Sequence, residues 1–326
     1  MDKYIGIDIS KQTFDGYGYS SSKNKEEFIK LNQTKKDFQK LIRLYGKDKV
    51  YVMEATGPYY MKLACFLYEK KIRVAVINPL IINRFSQMRM QRAKTDKKDA
   101  KTIFEYAFQQ DVKLWEPPQK EVLQIQQMLT SINLIQKQRT ATNNQLKAFE
   151  SNGTIEPHVK KTLKTVIIKY DQAIEQLEKQ MQKIVEKHYC ETKERLESIP
   201  GIGKKTIPLL IAITNNFEKF IHYKQLIAYT GFSPRTFESG TSVKGKGHIC
   251  KLGSAAIRKQ LYMCAWSAKY HNKACIELYN RLKQKGKPEK VIKVAIANKL
   301  LKQAFSIVKN KTMYDPNYIS INPAIN

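Results

Sequence analysis

Tyr4-Ile5-Gly6-Ile7-Asp8-Ile9 decides how the rest of the chain is read. Ile5, Ile7 and Ile9 alternate with Tyr4, Gly6 and Asp8, a period of two that predicts a strand with one apolar face and a carboxylate on the other. A second run, Val50-Tyr51-Val52-Met53-Glu54, ends in an acid just before the turn and helix start Ala55-Thr56-Gly57-Pro58. Two more acids stand in Lys94-Thr95-Asp96-Lys97-Lys98-Asp99-Ala100, where Thr95 is an N-cap and the i, i+3 spacing puts Asp96 and Asp99 on one helical face. Acids at neighbouring strand ends and on a covering helix could converge on Mg²⁺, which prefers hard oxygen ligands. Two such ions can stabilise a phosphodiester transition state. Taken singly, each acid also reads as a solvated or capping residue, and Asp96 and Asp99 suit a helix N-terminus through the dipole alone. The combination carries the argument.

Around these acids, residues 1–118 alternate strand and helix. Thr13 to Tyr19 and Glu27 to Leu31 read as further strands, joined by the Ser/Lys-rich turn from Ser20 to Lys25. A helix follows with apolar positions Phe38, Leu41, Ile42 and Leu44, and another carries Met61, Leu63, Ala64, Phe66 and Leu67. Arg73 to Pro79 is a continuous apolar run of the kind found in buried parallel strands. Three strands in a meander, then strands alternating with helices, is the order of an RNase H-like sheet. Residues 86–98 read as a basic loop and helix face. Beside a metal site, Arg89, Arg92, Lys94, Lys97 and Lys98 would contact phosphates.

After Glu116-Pro117-Pro118 the pattern becomes long helix, so residues 119–190 read as an arm. Val122, Ile125, Leu129, Ile132 and Leu146 mark its outward limb. Leu163, Ile167, Tyr170, Ile174, Leu177, Met181, Ile184 and His188 mark the return, spaced 4-3-4-3-4-3-4 as in a coiled coil, so that the two arms pair with each other as a hairpin or the return arm dimerises. His188 closes that seam as a tolerated helix-end residue. Residues 191–326 form a mostly helical remainder. Ser198-Ile199-Pro200-Gly201-Ile202-Gly203-Lys204 before an apolar helix has the form of a helix-hairpin-helix, in which Gly201 and Gly203 let backbone N–H groups approach a phosphate beside Lys204. An ordinary tight turn fits the same residues.

Between Arg235 and Phe305 there are 16 Lys/Arg against three Glu. At the head of this stretch, a glycine-rich loop from Gly231 to His248 holds Ser239, Thr241 and Ser242 among Arg235, Lys244 and Lys246, with Lys251 beyond. Ser239 precedes a glycine, which leaves its Oγ open to attack a phosphodiester. From the residues alone, capping or turning the loop is the favoured reading of Ser239. Past it, Leu252, Ala256, Ile257, Leu261, Tyr262, Ala265 and Trp266 predict a buried helix with Arg258 and Lys259 outside.

The 326 residues carry 58 Lys/Arg against 29 Asp/Glu, a formal charge of +29 that points to a polyanionic partner. No apolar run approaches the roughly 18 residues of a spanning helix. Met1-Asp2-Lys3 leads straight into a strand, so no signal peptide is expected. Five scattered cysteines, without zinc spacing, fit reduced thiols in a cytoplasm.

Together these segments resemble the DEDD transposases of bacterial insertion sequences, the family that includes Piv-type DNA invertases and bridge-RNA-guided recombinases. The resemblance is carried by Tyr4-Ile5-Gly6-Ile7-Asp8, Glu54-Ala55-Thr56-Gly57, Val76-Ile77-Asn78-Pro79, Lys94 to Ala100, Ser198 to Gly203, and the stretch from Gly231 through Glu238-Ser239-Gly240 to Lys251, Gly253, Arg258 and Leu261. It implies a RuvC-like N-terminal domain whose Asp8, Glu54, Asp96 and Asp99 bind Mg²⁺, a coiled-coil arm for homo-oligomeric assembly, and a C-terminal transposase domain whose nucleophile is Ser239. It further implies donor and target DNA as partners, a structured bridge RNA that chooses the sites, and action on the bacterial nucleoid. No departure occurs at the acid or serine positions. Two rival expectations are a junction-resolving nuclease in which the acids activate water, and a nucleic-acid-binding scaffold without catalysis.

Overall fold

The computed structural model describes residues 3–23, 25–90, 95–235, 238–239, 243–244 and 248–318; at 96, 238, 239, 243 and 244 the description covers the backbone alone. The chain divides into two compact units, Met1–Pro117 and Pro118–Asn326.

The first unit runs β1 (Tyr4–Ile9), β2 (Thr13–Tyr19), β3 (Glu26–Asn32), α1 (Lys35–Tyr45), β4 (Val50–Glu54), α2 (Tyr60–Glu69), β5 (Arg73–Ile77), α3 (Pro79–Met88) and α4 (Asp96–Gln109). Its sheet has the order β3-β2-β1-β4-β5. The first three strands form an antiparallel meander, and β1, β4 and β5 lie parallel. Alternation sorts the two faces. Ile5, Ile7, Ile9, Tyr51 and Met53 pack with Phe38, Leu41, Leu63 and Leu67 from α1 and α2. Val50, Val52 and Ala75 face Ile103 and Ala107 of α4 and Ile82 of α3. The basic stretch expected as loop from residue 86 thus begins inside α3, which Asn78 caps by accepting from the Leu80 N–H at 2.9 Å, with Pro79 at its first turn.

Gly6 fixes how α4 lies. A Cβ built there would stand 2.2 Å from the Ala100 carbonyl oxygen and 2.4 Å from the Phe104 nitrogen, so helix backbone rests on strand backbone.

The second unit opens with α5 (Lys120–Ser151) and α6 (Pro157–His188), 32 residues each. At 1.5 Å per residue each spans about 48 Å. They pack antiparallel. Lys160 meets Glu150 near the turn at 2.9 Å, Arg139 holds Asp171 through two bonds of 2.5 and 3.1 Å, and at the base Tyr189 donates to Gln119 at 2.8 Å. Of the heptad positions, Met181 is buried, those from Leu163 to Leu177 are half-buried and His188 is exposed. Full burial falls at the hairpin base, on Val122, Ile125 and Val185, where the arm joins the helical core.

That core comprises α7 (Cys190–Glu197), α8 (Thr206–Thr214), α9 (Tyr223–Thr230), α10 (Ala255–His271), α11 (Lys273–Gln284) and α12 (Glu289–Asn310). Ile296, Leu300, Leu301 and Ala304 of α12 are fully buried at its centre. Asn272, also fully buried, stands between α10 and α11. Its amide donates to Gln303 at 3.0 Å and to the Pro200 carbonyl at 3.4 Å, while its oxygen accepts from Tyr314 at 3.2 Å and from Gln303 at 3.3 Å. One side chain therefore ties four segments together with its polar atoms satisfied.

Between α9 and α10, the loop expected from sequence carries two short antiparallel ladders: β6 (Pro234–Arg235) with β9 (His248–Ile249), and β7 (Glu238–Ser239) with β8 (Val243–Lys244). The buried helix expected after it is also partly corrected. Ile257, Leu261 and Ala265 are buried, but Leu252, Ala256 and Trp266 are exposed. Arg258, expected outside, is half-buried and donates to the Thr230 carbonyl at 2.8 Å, closing the end of α9.

Two stability measurements check this account. Gly6→Ala drives a methyl into helix backbone and is expected to destabilise the first unit by about 3 kcal/mol or more in urea unfolding. Gly16→Ala, whose Cβ would meet only side-chain atoms at 3.1–3.4 Å, should cost clearly less. Asn272→Ala strands the buried partners of its amide and should lower the unfolding midpoint of the second unit, a loss of about 2 kcal/mol.

Candidate active site

Asp8 and Glu54 reach the same level of the sheet. The parallel ladder pairs Ile7 with Met53, and each acid follows directly on its own strand. Asp8 shares the face of Gly6, and Glu54 that of Val50 and Val52, so both carboxylates belong to the face that α4 covers. The helix runs back along β1. Phe104 packs with Tyr4, and Ala100 lies over Gly6, which carries the first turn of α4 toward Asp8. Thr95 caps that turn by accepting from the Lys98 N–H at 3.3 Å. Asp8, Glu54 and Asp99 are each half-exposed, and Glu54 accepts from Thr56 at 3.0 Å.

Two of the four expected acids, Asp8 and Glu54, thus share one face at the carboxyl ends of neighbouring strands, where open α/β sheets place ligands, and Asp99 stands in the first turn of the helix that covers this face. The Asp96 side chain lies outside the description. Among the described residues no three acids, histidines or cysteines stand close enough to hold a metal ion. In chemistry the donor set fits a hard divalent cation, being all carboxylate oxygen.

Sequence reasoning missed one residue here. Asp15 pairs directly with Asp8 across the β1–β2 ladder and is 4% exposed, with the Lys30 ammonium 3.9 Å away. Cross-strand partners point to one face. A second carboxylate therefore stands beside Asp8, deepening the negative potential that a cation would balance. The signal was its place in the same alternation as Tyr17 and Tyr19, read only as a polar strand.

Two of the expected basic residues have partners within the fold. Arg89 pairs with Glu105 and lies over the Phe85 ring at 5.6 Å. The Lys97 ammonium lies over Phe28 at 5.7 Å, and Lys98 is exposed. Arg92 and Lys94 fall outside the described residues.

In the second unit, Ser239 is the last paired residue before residues 240–242, opposite Val243. Its side chain and that of Lys244 lie outside the description, as does Lys246 altogether. Outside this inner ladder, Arg235 and Lys251 are exposed. The Gly201 turn joins α7 to α8 at φ +104°, and a Cβ there would come 2.7 Å from that of Ala268, so glycine is required by packing against α10. Around Gly203 a Cβ would meet nothing within 4 Å, and Lys204 is exposed.

Other nucleophile types are poorly placed. Burial pushes the Cys275 thiol up to about 12 and also raises Cys264, while a hydrogen bond to Glu194 raises Cys190. Tyr189 is pushed up to about 12 by burial. These groups stay protonated near neutrality.

No helix among the described residues is long and apolar enough to cross a membrane. Residues 5–149 match the family model described as transposase, of the DEDD IS110 type, and residues 193–280 match that of the transposase IS116/IS110/IS902 family. The chain is 29% identical over 327 residues to the pilin gene-inverting protein of Moraxella lacunata, covering 96% of this chain and 97% of that one. It is 24% identical over 290 residues to the transposase for insertion sequence element IS1111A of Coxiella burnetii, covering 79% and 76%. With matching sequence models in both units, an α/β sheet of the expected order and a mostly helical remainder, the chain belongs to the IS110/IS116 family of transposases, enzymes that break and rejoin DNA.

Proposed function

We propose that this transposase cuts and rejoins DNA through a covalent bond to Ser239, aided by divalent metal on the acid face. The observation that supports it most is the position of Ser239, at the end of a paired ladder in a unit dense with cations. There its Oγ attacks a phosphodiester phosphorus. An O–P bond to serine forms, one deoxyribose oxygen leaves as a hydroxyl, and the serine proton passes to solvent or a neighbouring base. The reverse attack by a hydroxyl of another strand regenerates serine and seals the new junction. One phosphodiester is exchanged for another of similar energy, so no nucleotide cofactor is required.

Asp8, Glu54, Asp96 and Asp99 would hold Mg²⁺, which when bound stabilises charge on phosphate and sugar oxygens. The acids' own part is to fix that charge on the face beneath α4, where the helix N-terminus also favours anionic groups. Arg89, Arg92, Lys94, Lys97 and Lys98 on one unit, and Arg235, Lys244, Lys246, Lys251 and Arg258 on the other, would contribute the phosphate-facing charge. The Gly201–Gly203 turn with Lys204 would act as a helix-hairpin-helix on DNA backbone. The half-buried seam of α6 supports assembly of more than one chain as a coiled coil, and the charge of +29 is suited to a structured bridge RNA as well as DNA.

Trapping separates this reading from simple hydrolysis. With Mg²⁺, element-end RNA and labelled donor and target DNA, denatured protein is expected to carry label, and Ser239→Ala to carry none. Cut DNA with no adduct at any time point would instead assign the acids to activation of water. Asp8→Asn, which keeps shape but removes a charged ligand, should lower the rate about a hundredfold or more at saturating Mg²⁺ while leaving DNA binding in place.

A further inference from the structure

Helix α10 carries an aromatic surface that the strand-transfer chemistry does not use. Trp266 is 48% exposed and Tyr270, one turn later, 66% exposed. Residues four apart share a helix face, with Cβ atoms about 6 Å apart.

What lies beneath them is also unusual. Lys293 of α12 is only 4% exposed, and its ammonium sits 3.2 Å from the centroid of the Trp266 ring. The Lys269 side chain is 9% exposed, with its ammonium 4.7 Å from the Tyr270 centroid and 5.5 Å from that of Trp266. Glu289 accepts from Lys269 at 3.1 Å, lies 3.3 Å from Lys293 and accepts from Tyr279 at 3.0 Å. One carboxylate therefore serves two ammoniums and the cluster is net positive. Lys293 is nearly sealed from water, and the indole that covers its ammonium still leaves about half of its own surface to solvent. Cation–π contact holds the ring flat against the helix pair.

We propose that Trp266 and Tyr270 form a stacking platform for unpaired bases of a DNA strand. Three features converge on that ligand. Every nucleobase has a π-face that a rigid exposed aromatic ring accepts without regard to sequence. The excess positive charge behind the rings attracts the phosphates of the same strand. A duplex keeps its base faces stacked on one another, and unstacking a step costs about a few kcal/mol, so the platform favours single strands. An apolar protein partner would be poorly matched to two ammoniums with one counter-charge. A structural role accounts for one face of each ring, Trp266 over Lys293 and Tyr270 beside Lys269, but still leaves Tyr270 66% exposed. Strand exchange requires bases to leave their partners, so a platform of this kind suits an enzyme that rejoins strands. The inference rests on the family's use of DNA and is independent of the assignment of Ser239.

The chain holds two tryptophans, and Trp115 packs edge-on against Tyr60 and Tyr68 in the first unit. Full-length Trp115→Phe protein therefore reports on Trp266 alone. A 12-nucleotide single-stranded DNA should quench its fluorescence to saturation. The corresponding duplex and inorganic polyphosphate, both bound as seen by light scattering or anisotropy, should leave most of the emission. Tyr270→Ala, at a position too exposed to affect folding, should weaken single-stranded binding roughly tenfold and duplex binding less than twofold. Trp266→Leu should do the same, and Trp266→Phe should restore most of the affinity. Equal quenching by duplex or polyphosphate, or an unchanged single-strand affinity in Tyr270→Ala, would overturn the platform. Quenching by a single-stranded RNA of the same length, with none by DNA, would overturn its assignment to DNA. Loss of the covalent adduct in Ser239→Ala with quenching intact would leave this inference standing, and the converse would remove it alone.

Discussion

The first unit depends on the absence of one side chain. With no Cβ at Gly6, the backbone of α4 settles onto β1, and Ala100 and Phe104 come into contact with the strand itself. That approach determines which end of the helix meets which end of the sheet. Had β1 carried even alanine there, α4 would have to lift or slide, and the first turn with Asp96 and Asp99 would move relative to Asp8 and Glu54. Close packing of this kind has discrete solutions, since side chains either interdigitate or clash. Tyr17 and Phe104, edge-to-face at 5.5 Å, and Lys101 over Tyr17 at 5.6 Å occupy the space on either side of the contact.

The second unit relies on a different constraint. Its apolar surface is spread over helices of moderate length, and burial alone does not select one arrangement of them. Asn272 supplies direction. A buried amide with bonds to Pro200, Gln303 and Tyr314 is satisfied only when the α7–α8 turn, α12 and the C-terminal segment all arrive in register. Arg258 acts similarly at the end of α9, where its bond to Thr230 sets the base from which the Ser239 hairpin departs.

How much of this could be read in advance followed from how local each signal was. The strands around Asp8, Glu54 and Arg73 were legible because period-two alternation and continuous apolar runs encode face and depth in a few residues. Thr95 as a cap was legible for the same reason. The hairpin at Ser239 was not, because its ladders are two residues long and built from Pro, Arg, Glu, Ser, Val and Lys, with no alternation to detect. Trp266 fell on an apolar helical stripe and so read as core. What reversed it was Lys293, 27 residues away, taking the place beneath the ring. The pairing of Arg89 with Glu105 was likewise not legible, because that carboxylate arrives from a helix that the basic loop precedes. Asp15 was hidden by a pairing: its neighbour Asp8 is adjacent across a ladder and not along the chain.

The charge distribution has to reconcile two opposed demands. A polyanionic substrate is drawn by the excess of cations, yet the acid face beneath α4 repels phosphate at short range. A carboxylate cluster meeting a phosphodiester in water of low salt is unfavourable unless positive charge lies between them. Within the first unit three sources of such charge are at hand: the partial positive charge at the start of α4, the lysines at 97, 98 and 101 on the same helix, and the divalent cation that a set of carboxylate oxygens is chemically suited to hold. The first two are fixed in the fold and attract DNA at a distance, but exposed ammoniums are screened within about 8 Å at physiological salt. The third acts only at contact, where screening is weakest. In the proposed function, long-range attraction by lysine and short-range neutralisation by a bound cation would divide the work by distance, and a strongly basic chain could then keep Asp8, Asp15 and Glu54 on one sheet face.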